Sequence, residues 1–261
     1  MNSASDTNPA RLLSDYKSHK QTLSADINYF TQGMPERVRL ERFISRVYKK
    51  YYNAEIDHFY PDLISIETDE KNSLLREQSI KAVAGVRCAE NEALFSEHYL
   101  NNNLQSELER IYHKPVSRRE VVEVGNLAPE GVGQMRWLIT TLTGFLYSAD
   151  YKYIVFTLVP GVYNAFKRMK IPLEFMAEAK RECLPEDIRH KWGSDYYQKK
   201  PVVLAGDIAL TFDIVKESIY KSNKELIPLF EQACYLGQKN SHTIHFKKKQ
   251  LKGNQIEGKA A

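Results

Sequence analysis

The sequence predicts a mixed α/β (α+β) fold built on one sheet, and three observations carry that expectation. Valine- and isoleucine-rich runs alternate with helical periodicity from Pro35 onward. A strand, a helix and a second strand follow one another across residues 120–159. The C-terminal third carries apolar residues at helical spacing.

A chain of 261 residues, 43% hydrophobic, can bury a full core as one large domain with appendages. Its 37 Lys and Arg against 33 Asp and Glu give +4, a mild excess that does not call for nucleic acid. Cys88, Cys183 and Cys234 lie far apart, which argues against a disulfide framework or a clustered metal site and suits a reducing compartment. The start, MNSASDTNPARLLSDYKSHK, has no apolar core of a leader, and no window approaches the roughly 18 apolar residues of a membrane span, so the expected location is cytoplasmic.

Residues 1–30 read as a polar N-terminal arm. Val38, Leu40, Phe43, Ile44, Val47 and Tyr51 recur at helical spacing, and Pro35 and Glu36 suit a first turn. "PDLISIE" and "SIKAVAGVR" read as antiparallel strands joined through the polar stretch Thr68 to Gln78. "NEALFSEHYL" has mixed helical character, and "RREVVEVGNLA" is a third strand. A helix follows from Gln134 through Leu146, then the strand "YKYIVFTLV"; a strand–helix–strand order implies a right-handed crossover and a parallel pair. Short helices are expected around Tyr163 to Met169 and Leu173 to Lys180, and "WGSDYYQKKPVVLAG" reads as a strand pair or a strand with a long entry. Ile208, Phe212, Val215 and Ile219 mark a helix; Ser222 and Glu225 read as a capping box for the next, with Gly237 as its stop. The resulting division is an arm (1–30), a domain (31–207), C-terminal helices packed on it (208–237) and a basic tail (238–261).

The chemistry-bearing stretch is "EVVEVGNLAPEGVGQMR". A strand runs through Pro129 into Gly131, Val132 and Gly133 and then a helix, so backbone N–H groups converge where the positive helix end points. That geometry suits a pyrophosphate or phosphopantetheine, although two glycines can also make a plain turn. Glu123 stands among valines of a strand flanked on both faces, so it is either paired, with Arg87 or Arg119, or a working carboxylate. Gly125 marks a bulge or close backbone approach that would splay this strand from "YKYIVFTLV" and admit a linear substrate between them.

Strand, Gly-containing loop, helix, strand and "VYNAFKRMKI" resemble the core of the GNAT acyltransferase superfamily. Within it, "HFYPDLISI", "AVAGVR", "ALFSEHYL", "EVVEVGNLA", "IVFTLV" and "WGSDYYQKKPVVLAGD" resemble the thermostable hemolysin family across roughly residues 40–207, and the order of motifs is similar to that of autoinducer (acyl-homoserine lactone) synthases. The resemblance implies a GNAT-like, mostly antiparallel sheet with a central splayed parallel pair and helices on both faces. It also implies an acyltransferase that uses acyl-CoA or acyl carrier protein thioester as co-substrate, with no tightly bound cofactor, and a small amine acceptor. Ala128 stands where the superfamily loop has Gln or Arg, and Phe166 where a tyrosine protonates the departing thiolate; Tyr163 is the substitute.

Aminolysis of a thioester needs a proton acceptor, a donor to the carbonyl oxygen and a proton for the thiolate. The expected catalytic residues are therefore Glu123, Asn126 and Tyr163. Leu127, Ala128, Gly131, Val132, Gly133, Gln134 and Asn164 are expected to hold the thioester, and Arg87, Glu97, Trp192 and Tyr196 to form the acceptor side, with no metal. Asn126 could equally satisfy local backbone groups, and the Trp192 cluster could be core. Lys247, Lys248 and Lys249 form a basic run that could dock an acidic carrier protein or simply be solvated. The alternatives from other classes are a membrane-active lytic protein, with membrane association not favoured, and a thioester-binding module without turnover.

Overall fold

The computed structural model describes residues 25–69, 78–192 and 194–256. Residues 1–24 of the expected arm, 70–77 of the first interstrand connection and 257–261 of the tail lie outside the described residues.

Seven strands form one sheet: β1 (Ala25–Thr31), β2 (Asp62–Asp69), β3 (Gln78–Cys88), β4 (Val121–Pro129), β5 (Tyr153–Leu158), β6 (Glu174–Glu178) and β7 (Val202–Asp207), in the order β1-β2-β3-β4-β5-β7-β6. Neighbours are antiparallel except β4 and β5, the parallel pair expected from the crossover. The principal helices are α1 (Arg37–Tyr52), α2 (Leu104–Tyr112), α3 (Val132–Ser148) and α4 (Pro160–Arg168). Two short ones, α5 (Glu186–Arg189) and α6 (Ser194–Gln198), precede β7, and α7 (Ile208–Ser222) and α8 (Ile227–Ile256) follow it.

Alternation along the central strands divides the core. Val122, Val124, Ile154 and Phe156 face α3, α7 and α8, whereas Val121, Tyr153 and Val155 face α2, and Leu63 and Val83 face α1. The sheet is thus covered on both sides. Each fully buried large side chain such as Phe145 contributes about 1.5–3 kcal/mol.

Several expectations change. β1 lies within the stretch read as polar arm: Ile27 and Phe30 are buried, and the Ile27 amide donates to Gln232 Oε1 of α8 at 2.8 Å. Residues 173–180 are not helical, because β6 forms an edge strand on β7 that buries Met176 and Ala179; pairing overrides local propensity. Between Asn103, whose side chain accepts from the Ser106 amide, and His113 in the left-handed region, α2 forms where no helix was expected. The Ser222–Glu225 capping box is replaced by a 3-10 turn, Lys224–Leu226, with no side-chain cap.

Gly237 is no helix stop either. It lies inside α8, where a Cβ would stand 2.1 Å from the Phe145 carbonyl oxygen, and a Cβ on Gly144 would stand 2.9 Å from the Phe230 carbonyl oxygen. The two glycines let α3 and α8 cross in backbone contact. The stretch read as a tail continues α8 as far as Ile256.

Candidate active site

β4 and β5 pair only from Val121↔Tyr153 to Val124↔Phe156; beyond that point β4 runs on to Pro129 and β5 to Leu158 without further pairing between them. On its other edge β4 shifts register against β3, from Gly85↔Gly125 to Val83↔Ala128, so Asn126 and Leu127 together oppose Ala84. Asn126 takes a left-handed φ of 47°, which an Asn tolerates better than a branched residue. The bulge expected at Gly125 therefore sits one residue later, and the strands part where the sequence suggested.

A cavity of about 690 Å³ opens at the parting, on the side of the sheet covered by α1 and α2, and reaches Val124, Gly125, Asn126 and Thr157. Tyr60 forms its floor. A Cβ on Gly125 would lie 2.6 Å from Tyr60 Cζ, and one on Gly85 would lie 2.8 Å from both Tyr60 Cβ and Asn126 Oδ1, so both glycines clear room for these side chains. The Tyr60 amide donates to Asn126 Oδ1 at 2.8 Å, and its carbonyl accepts from Arg37 Nη2 at 2.8 Å. Asn126 thus serves the local backbone, one of the two roles open to it.

Glu123 is 1% exposed. Its two carboxylate oxygens accept the Phe95 amide at 2.8 Å and the Ser96 amide at 2.7 Å, at the start of the 3-10 turn Phe95–Tyr99. The paired alternative is met by amides rather than by Arg87 or Arg119: Arg87 stands opposite Glu123 in register, but no ion pair joins them among the described residues. Burial, and after it the Glu123 charge, push the Tyr60 phenol well above its ordinary value, with Arg87 opposing. Tyr60 therefore stays neutral and can donate.

Two further tyrosines reach the parting. The Tyr196 hydroxyl donates to the Thr157 carbonyl of β5 at 3.3 Å. Burial raises the Tyr48 phenol and the Leu127 amide of β4 works against that rise, so this amide addresses the Tyr48 oxygen. On the β5 edge the Thr157 carbonyl is thus occupied by a tyrosine side chain, and on the β4 edge the Leu127 amide lies beside another. Tyr48, Phe95, Trp192 and Tyr196 form an aromatic wall, with Trp192 centroids 4.9 Å from Tyr196, 5.6 Å from Phe95 and 6.1 Å from Tyr48.

All four residues expected on the acceptor side, Arg87, Glu97, Trp192 and Tyr196, line this cavity. Glu97 is engaged: it accepts from Arg118 at 2.7 and 3.1 Å and from the Leu94 amide at 2.8 Å. Of the residues expected to hold the thioester, Leu127 and Ala128 follow the parting, with side chains packed on opposite sides of the sheet. Gly131 is the N-cap of α3 in extended conformation with no side-chain cap, Gly133 has open space about its Cα, and Gln134 is half-buried with Oε1 beside Gly131. Val132 begins that helix, and Asn164 is exposed on α4. Tyr163 is half-buried on α4 beneath Lys167, 4.3 Å from its ring centroid, and does not line the cavity. No group of three or more His, Cys, Asp or Glu able to hold a metal occurs among the described residues.

Tyr60, Tyr48, Phe95 and Thr157 were not singled out from the sequence. Their common signal is spatial: Tyr60 and Gly125 are 65 positions apart, and nothing local links them.

A mostly antiparallel sheet with one parallel pair, parted over a bulge and covered by helices on both faces, is the GNAT-like arrangement that the sequence suggested. The chain belongs to the thermostable hemolysin family, whose model matches residues 30–212. Among solved structures it is similar to the AHL synthase LasI (11% identity, TM-score 0.48, covering 73% of this chain and 93% of that one). It is also similar to TofI in an apo form (13%, 0.46, covering 74% and 97%). A further similar structure is FeeM, an N-acyl amino acid synthase from uncultured soil microbes (10%, 0.45, covering 73% and 95%). No curated protein matches the chain in sequence.

Proposed function

We propose that this protein is an N-acyltransferase that moves an acyl group from an acyl-CoA or acyl carrier protein thioester to a small amine, giving an N-acyl amino acid or an autoinducer-like product. The observation that carries this reading is the parting of β4 and β5, where the Thr157 carbonyl is held by the Tyr196 hydroxyl and the Leu127 amide lies beside the Tyr48 oxygen. A pantetheine arm bears amides that can take both places, as a strand would add to an open edge. The uncapped start of α3 at Gly131 stands at the end of the parted strand, where its amides suit a phosphate.

In the reaction the amine nitrogen bonds to the thioester carbonyl carbon and the C–S bond breaks. The Leu127 amide, released from Tyr48, donates to the carbonyl oxygen as charge develops there. Glu123 is not in the cavity wall and meets it through Tyr60, so the amine's proton passes to the carboxylate by way of that phenol. Tyr163, on the helix that follows β5 and outside the cavity wall, protonates the thiolate by way of a water, and exchange with water resets both groups. Asn126 acts by holding Tyr60.

The experiment is release of free thiol from a panel of acyl-CoA and acyl carrier protein thioesters, with and without amines. Amine-dependent release is expected. Thioester binding without turnover, or liposome leakage with neither binding nor release, would replace this reading with a binding module or a lytic protein.

A further inference from the structure

Arg87 is the buried charge of the cavity wall. It is 5% exposed, whereas the acidic and other basic residues lining the cavity are half-exposed or exposed. Its guanidinium lies 4.3 Å from the Tyr60 ring centroid, Nη2 is 2.9 Å from His58 Nε2, and Nη1 reaches the Ala93 carbonyl at a long 3.4 Å. Nε has no hydrogen-bond partner: it forms an ion pair with the exposed Glu92 carboxylate, whose Oε1 is 3.5 Å away without hydrogen-bond geometry. Glu123, opposite in register, spends its oxygens on the Phe95 and Ser96 amides. A buried guanidinium with no hydrogen-bonded carboxylate, facing a cavity of about 690 Å³, has the donors for a carboxylate brought by a ligand. Beside it stands the wall of Phe95, Trp192 and Tyr196, which takes an apolar or aromatic group.

We infer that the acceptor is a free α-amino acid with a large apolar side chain, its carboxylate on Arg87 and its side chain against Trp192. This rests on the acyl-transfer reading for the word acceptor, but the binding site stands on geometry alone. With the carboxylate on Arg87, the α-amine is left to face the parting at Gly125. A carboxylate-free amine leaves the guanidinium only the exposed Glu92 carboxylate, 3.5 Å from Nε, as counter-ion.

The test is calorimetric titration of the full chain, without thioester, using L-phenylalanine, L-phenylalaninamide and L-alanine. Phenylalanine binds, and the amide, which lacks the carboxylate, binds at least about tenfold more weakly. Arg87→Gln abolishes that preference. Because Arg87 is buried, Trp192→Ala serves as the second variant: it brings phenylalanine down to the affinity of alanine while the preference of acid over amide persists. Equal binding of acid and amide by the unaltered protein, or no binding of phenylalanine at millimolar concentration, overturns the inference. Phenylalanine binding with the carboxylate preference but no thiol release from any thioester keeps this site and removes the acyl-transfer reading. Thiol release as fast with the amide as with phenylalanine keeps acyl transfer and removes this site.

Discussion

The Tyr60 ring lies against Gly125 so closely that a methyl group on that glycine would stand 2.6 Å from Cζ and 2.7 Å from the phenol oxygen. The tyrosine is fixed from both ends of its own peptide, by Asn126 and Arg37, so it cannot yield to an added group without moving β4.

Gly125→Ala is therefore expected to lower stability by about 1–3 kcal/mol and to reduce thiol release, because the ring and the bulge must shift together. Gly133→Ala, inside helix α3 and with nothing within 4 Å of the added carbon, serves as the control and should leave the urea midpoint unchanged or slightly raised. A midpoint for Gly125→Ala equal to that of the unaltered chain would show that the floor is softer than described.

Asn126→Ala removes the acceptor for the buried Tyr60 amide and places alanine at a φ of 47°. The two costs, about 1–3 kcal/mol for the orphaned amide and about 1–2 kcal/mol for the left-handed backbone, can be separated. Asn126→Gly retains the first and relieves the second, so its urea stability should fall between those of the alanine variant and the parent.

Tyr60→Phe tests the proton path. If Glu123 takes the amine's proton through the phenol, kcat falls at least about tenfold while KM for the thioester stays within about twofold. Glu123→Gln puts an amide donor against the Phe95 or Ser96 amide and is expected to lose about 1–3 kcal/mol as well as activity. Full activity in Tyr60→Phe would remove Glu123 from the chemistry and leave it a cap.

Tyr196→Phe and Tyr48→Phe free the Thr157 carbonyl that one hydroxyl occupies and the Leu127 amide that lies beside the other. Each variant should lose about 1 kcal/mol of stability and bind a non-hydrolysable acyl-CoA analogue a few-fold more tightly, since the arm no longer has to displace a hydroxyl. Weaker analogue binding in both would mean that the hydroxyls contact the arm instead of yielding to it.

Acid should act at Glu97. Burial disfavours its charge, but the Arg118 and Leu94 hydrogen bonds outweigh that, and its carboxyl titrates below the ordinary carboxylate range. A folded-state pKa below the unfolded value of about 4.3 gives stability that is present above that pH and lost as pH falls through the folded value. The gap in urea stability between the parent and Arg118→Leu should therefore narrow from pH 7 to pH 3, by about 1 kcal/mol for a pair still partly open to solvent. It does not close, because Arg118 also donates to the Ala89 carbonyl.

What was legible follows from how local each signal is. Helical spacing at Leu40, Phe43, Ile44 and Val47, and the valine-rich β4, are properties of a few neighbouring residues, and they form as read. β6 was misread because its helix-like composition is overruled by a partner strand some 28 residues later, and Gly237 because a glycine that ends a helix and one that admits a neighbouring helix look alike in one dimension. Arg87, Glu97, Trp192 and Tyr196 could be named one by one from charge and aromaticity. Their convergence with Tyr60 depends on the register of β3 and β4, which only the folded sheet supplies.

The crossing of α3 and α8 bears on where the chain can be cut. Gly144 and Gly237 bring the two backbones together, and Gln232 latches the first strand at the far edge of the sheet. A fragment ending near residue 212, where the family match stops, would leave Phe145, Leu142 and the apolar side of β1 bare to water. The recognisable segment and the cooperative unit are therefore different lengths, and shortened versions should precipitate rather than report on catalysis.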